Sequence, residues 1–205
     1  MNKVVNFIKS KKMIVGVTIL LVLLVVMGTI YYLDYNDNKD KIKYIHASYG
    51  FDANNLNNIV SDADYIFVGK VVNQGKTVYK YPVKVEDKWI TSPYTYYNLQ
   101  VIKNVKGNLL KGKNVKILKA GGKDKYSNVK YVYENDILPN KNEYYIFAAY
   151  VQQDGSLLVS GVNSTIKTTK YYVNTSSYKQ IYSVSSKVKS KNRKRYKLDK
   201  TKIYN

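Results

Sequence analysis

At 205 residues the chain has room for one domain of ordinary size plus appendages, and its 45% hydrophobic content is enough for a packed core. It contains no cysteine, which excludes disulfides, thiolate zinc sites, iron–sulfur clusters, a thiol nucleophile and a lipid anchor on an N-terminal cysteine. The formal charge of +20 is unevenly spread, and the densest part is residues 187–202, with nine Lys/Arg against one acid.

Residues 13–33, "MIVGVTILLVLLVVMGTIYYL", carry no charge and as a helix reach about 30 Å, the thickness of a hydrocarbon core. Lys3, Lys9, Lys11 and Lys12 precede this stretch and Asp34 and Asp37 follow it, so the positive-inside rule puts residues 1–12 in the cytosol and everything after residue 33 outside. A cleaved signal peptide is the rival reading; Val26-Met27-Gly28 matches its cleavage site poorly, and both readings export the remainder.

Residues 34–52 are polar and aperiodic and read as a tether. A domain is expected over 53–186. Leu56, Ile59, Val60 and Ala63 have helical spacing, with Asn54 or Asn55 as the cap. Strands follow at 65–81, with a bulge or coil at Gly69, and at 94–107, where the alternation Tyr97, Leu99, Val101 slips at Ile102 and predicts a bulge. Further strands are expected at 114–122 and 128–134, and two more within 142–162 around the hairpin signal Asp154-Gly155. Residues 175–189 then give a helix with an apolar stripe of Tyr178, Ile181, Tyr182 and Val188, after which the basic tail, 187–205, leaves the domain. The fold class is therefore mainly β: five or six strands in a small closed barrel or sandwich with a helix on each side, after one transmembrane helix.

The run "DADYIFVGKVV", "YNLQVIKNVKGN", "ILPNKNEYYIFAA" and "DGSLLVSG" resembles the N-terminal domain of tissue inhibitors of metalloproteinases and the wider netrin-like group, over residues 63–170. The resemblance implies an OB-type five-stranded barrel, as in anchored exported proteins of Gram-positive bacteria. Abundant Tyr, Lys and Asn with little Ala agree with an A/T-rich genome of that kind. In those inhibitors a cysteine at the mature N-terminus chelates the target's zinc; this chain has none, so the resemblance carries over the barrel and not the inhibition.

Catalytic chemistry has little to stand on. His46 is the sole histidine, it lies before the core, and no G-x-S-x-G elbow accompanies it. A metal site of His46 with Asp52, Asp62 or Asp64 would need a convergence the spacing does not show, and "KAGGKDK" at 119–125 lacks the P-loop pattern and reads as a turn. No cofactor is expected. Two candidate binding surfaces remain. One is the polyanion-binding tail, Lys187, Lys189, Lys191, Arg193, Lys194, Arg195 and Lys197; the other is a ligand face of Tyr94, Tyr96 and Tyr97, the stacking residues an OB barrel uses.

For an exported tail the partners are the membrane that holds the anchor, an anionic cell-wall polymer, lipid headgroups or an exported protein, and nucleic acid is not a routine partner. A solvated charge run is the plain alternative. The expectation is a non-catalytic binding protein of the cell envelope, in immunity or envelope stress. A wall-acting enzyme or enzyme inhibitor is the alternative from another class, and a nucleic-acid or teichoic-acid binder using tail and tyrosines is the third.

Overall fold

The structure, a computed structural model, describes residues 2–38, 41–46 and 52–204. The chain divides into two units, Met1–Asp40 and Lys41–Asn205. The first is one helix, α1 (Asn2–Asn38). Within it Val15–Asn36 is long and apolar enough to cross a membrane, with none of that window buried in protein. An unburied helix of this composition fits a membrane anchor or a signal sequence.

The second unit is mainly β. In chain order it contains β1 (Lys41–Ile45), α2 (Leu56–Asp62), β2 (Tyr65–Val85), β3 (Lys88–Lys106), β4 (Asn114–Ala120), β5 (Gly122–Lys123), β6 (Val129–Tyr133), β7 (Tyr144–Val151), β8 (Leu157–Val159), β9 (Thr165–Thr168), α3 (Ser176–Ser185) and α4 (Lys200–Ile203). Hydrogen bonding runs β2-β3-β4-β8-β7 and closes from β7 back to β2, making a five-stranded barrel in which only β4 and β8 are parallel. Strand β9 adds to β7 outside the closed circuit.

Alternation sorts the side chains. Phe67, Val71, Tyr97, Leu99, Val101, Val115, Ile117, Tyr145, Phe147 and Leu157 fill the barrel. Ile66, Val68, Ile146 and Ala148 point outward and are covered by Ile59, Val60 and Ala63 from α2 and its C-cap and by Tyr178 and Ile181 from α3. Asn55 caps α2 by accepting from Asn57 N at 2.9 Å. Gly69 makes room for Phe67 and Phe147, whose rings lie 3.2 Å from where a Cβ would sit. Pairing steps from Gly69↔Val101 to Val68↔Lys103, so the slip at Ile102 is a bulge.

Three expectations are corrected. Residues 34–52 are not a free tether: α1 runs to Asn38, and β1 pairs in parallel with β6 from Lys41↔Val129 to Ile45↔Tyr133, while 39–40 and 47–51 lie outside the described residues. The strand expected at 128–134 is β6, but it belongs to a separate sheet ordered β1-β6-β5 rather than to the barrel. Nor does the tail leave the domain. Residues 187–199 run back along it, α4 follows, and Ile203 is 1% exposed in the barrel core with Tyr196, Leu198 and Tyr204 packed beside it. The reason is apolar: the run of charge conceals Tyr196, Leu198, Ile203 and Tyr204, enough hydrophobic surface to hold the segment down.

Beyond the last β3–β4 pair, Thr95↔Lys119, strands β2 and β3 continue as a ribbon to Val85↔Lys88. Residues 81–91 of this ribbon are all exposed.

Candidate functional site

The two arginines of the tail are already engaged. Arg193 donates to Asp62 O at 2.8 Å and to Asp64 Oδ2 at 3.0 Å, and Arg195 donates to Asp64 Oδ1 and to Ser61 O at 3.0 Å. Both guanidiniums thereby satisfy the last carbonyls of α2 and complement its negative end. Asp64 also accepts from Val151 N at 2.8 Å, tying tail, helix and barrel into one clasp. Burial raises the Asp64 pKa, but the Val151 N–H, Arg195 and Arg193 outweigh it and hold the carboxyl below its ordinary value. Arg193 and Arg195 are thus structural, a correction to the polyanion reading. Lys187, Lys189, Lys191, Lys194 and Lys197 are exposed, with Lys194 over the Tyr196 ring at 5.2 Å.

A depressed pKa makes the clasp acid-labile. Its stabilisation is complete above about pH 3.9, the value for Asp in the unfolded chain, and is lost as pH falls through the folded value. Asp64→Asn should cost about 1–2 kcal/mol at pH 7 in urea titrations, and the gap to the parent protein should close below pH 4.

The tyrosine face also divides. Tyr97 points into the barrel, 1% exposed, because alternation sends it opposite to its neighbours; its hydroxyl makes no hydrogen bond, and burial raises its pKa. Tyr94 lies on the outer face but is covered, 8% exposed in a cluster with Leu118 and Ala120 and edge-on to Tyr81 at 5.3 Å. Only Tyr96 is left half-open to solvent.

Around Tyr96 the barrel forms a groove. One cavity of ≈ 340 Å³ is lined by Lys80, Tyr96, Lys116, Asp154, Ser156 and Lys202 among others, and a second of ≈ 430 Å³ by Gly75, Lys76, Tyr96, Asn98 and Lys116. They share Tyr96 and Lys116 in their linings. Lys116 Nζ lies 4.6 Å above the Tyr96 ring, so the face offers an aromatic surface and a cation together. The β7–β8 turn supplies Asp154 and Ser156, and Lys202 comes from α4, donating to Asp154 O at 2.6 Å. Ser156 Oγ and N bond the Asp154 carboxylate at 2.6 and 3.0 Å and hold its pKa low. Four lysines against one carboxylate leave the groove positive. Its place, on the β3–β4 face beside the β2–β3 and β7–β8 connections, is where OB barrels take oligonucleotides and oligosaccharides.

A cavity of ≈ 370 Å³ elsewhere, lined by Ile59, Asp62, Tyr150, Leu158, Arg193 and Tyr196, is mostly apolar, and its charged pair belongs to the clasp. His46 Nδ1 pairs with Glu134 at 2.5 Å on the surface. With Asp62 and Asp64 taken by the arginines, the metal set suggested by His46 and those acids is not assembled; among the described residues no three of His, Cys, Asp and Glu converge. The Gly121-Gly122 turn is likewise filled, Gly121 N donating to Pro93 O at 2.9 Å and Gly121 O accepting from Thr95 Oγ1 at 2.9 Å.

Neither the comparison with family models nor that with curated proteins finds a match.

Lys76, Lys80, Lys116 and Lys202 escaped the sequence reading. Lys116 alone had a local signal, since it alternates outward between Val115 and Ile117. Its pairing opposite Asn98, two residues from Tyr96, is a matter of register, and Lys202 arrives only because the tail folds back.

Proposed function

We propose that the protein is a membrane-anchored, non-catalytic binding module of the cell envelope whose OB-type barrel holds a phosphate-bearing anionic polymer in the Tyr96 groove. The observation that carries this reading is that Lys76, Lys80, Lys116 and Lys202 line two cavities that both include Tyr96, with Lys116 Nζ over its ring, at the OB binding face. The strand order is that of an OB-type barrel, the fold the netrin-like resemblance implies, and the lysines in the N-terminal third of α1 support an extracytoplasmic barrel. Single-stranded nucleic acid fits less well, because it stacks successive bases on successive aromatic rings, and of the two tyrosines lining the groove Tyr97 is 1% exposed, which leaves Tyr96 as the open ring.

The test is binding of poly(glycerol phosphate) to the full chain in lipid vesicles. Each of Lys80→Ala, Lys116→Ala and Lys202→Ala should weaken binding about fivefold, and the triple variant roughly a hundredfold, at about 1 kcal/mol per lysine. Affinity should also fall steeply with salt. Undiminished affinity in the triple variant would remove the groove as the site, and tighter binding of a single-stranded oligonucleotide would favour nucleic acid.

A further inference from the structure

Lys119 is the most deeply buried cation among the described residues, at 0% exposure, and no surface function can use it. It lies on β4 on the same side as Val115 and Ile117, where the barrel interior gives way to the β1-β6-β5 sheet. Its Nζ donates to Asp136 Oδ2 and, at 3.2 Å, to Ser164 Oγ. Ser164 Oγ lies 3.4 Å from the same Asp136 oxygen, so the three groups form a closed triangle from three separate parts of the chain. All three residues are buried. Asp136 Oδ1 and the neighbouring Thr165 Oγ1 make no hydrogen bond.

A buried ion pair with one carboxylate oxygen unsatisfied is an expensive arrangement, since desolvation of both charges is offset only when the geometry satisfies every lone pair. Burial lowers the Lys119 pKa and raises that of Asp136, favouring the neutral amine and the neutral acid. A neutral amine held against a neutral carboxyl is a nucleophile beside an electrophile, at the high effective concentration a folded interior gives.

We propose that Lys119 and Asp136 condense after folding into an intramolecular amide. The Lys119 Nζ lone pair attacks Asp136 Cγ and forms the Nζ–Cγ bond. One Nζ proton passes through the Ser164 hydroxyl to Oδ2, the Cγ–Oδ2 bond breaks, and Oδ2 leaves as water with the proton of the acid. No oxidant or reductant takes part. Asp136 also lines a cavity of ≈ 310 Å³ with Ile42, Tyr44, Lys130 and Val132, beside the site where the water is released. The product removes the ionisable pair from the interior, turns the unpaired carboxyl oxygen into an amide carbonyl, and ties the barrel covalently to the side sheet.

Intact-mass spectrometry of the full chain, purified in detergent after folding, decides the matter. The expected mass is lower than that of the sequence by one water, with a joined pair of peptides carrying Lys119 and Asp136 after proteolysis. Asp136→Ala should abolish the loss, and Ser164→Ala should slow its appearance. A parent protein at the full sequence mass would overturn the proposal, as would a loss of water mapped to any other pair of residues. The parent measurement needs no variant to fold.

Discussion

Ile203→Ala should lower unfolding free energy by about 2–5 kcal/mol in urea titrations, and a chain ending at residue 186 should fail to fold cooperatively. Ile203 is 1% exposed and closes the barrel core, so truncation to Ala leaves a cavity that the surrounding strands cannot collapse into. Its supports come from the same segment: Tyr196, Leu198 and Tyr204 pack against that core, and the Tyr204 hydroxyl accepts from Leu110 N at 2.8 Å. Within the segment, Asp199 N donates to Gly155 O at 3.0 Å, and a Cβ on Gly155 would fall 2.5 Å from Asp199 Cβ. Deleting the tail is therefore no test of polyanion binding, because its arginines, Ile203 and Tyr204 are part of the fold. Charge must be removed lysine by lysine from a folded chain. If the truncated chain retains a full, cooperative transition, the tail is an appendage after all.

Measured against the parent chain before any condensation, Asp136→Ala should cost about 3–5 kcal/mol, because it leaves Lys119 at 0% exposure with Ser164 as its remaining partner. Lys119→Met should cost a similar amount by stranding Asp136. Replacing both, Lys119→Met with Asp136→Leu, should recover part of the loss, since two apolar side chains carry no desolvation penalty there. Equilibrium unfolding of the four proteins measures the coupling, and simple additivity of the two single losses would mean that the residues do not act as a pair. The pair joins β4 to the segment after β6 and to Ser164 ahead of β9, so the loss should appear as loosening of the side sheet, read by hydrogen exchange at residues 129–133.

Local pattern was enough for much of this protein. A charge-free run of 21 residues has to be a lipid-length helix, and strict alternation from Tyr97 to Val101 has to be a strand with one buried face. The interruption at Ile102 announced its bulge for the same reason: a period of two cannot slip without an extra residue. These features depend on neighbours one to four residues apart, which the sequence displays directly.

What the sequence could not decide depends on partners far apart in the chain. Lys41–Ile45 looks like linker because its alternation is short and lysine-rich, and it becomes a strand only by pairing with residues 88 positions later. Arg193 and Arg195 look like a solvated charge run until Asp62 and Asp64 meet them, and Tyr94, Tyr96 and Tyr97 look equivalent until alternation and barrel closure give each a different environment. Lys119 is one lysine among many in the sequence, distinguished only by the dry position that β4 and Asp136 create. Composition and period fix which elements form. Register and closure decide which charges are buried, and those charges determine the stability of this domain and the chemistry open to it.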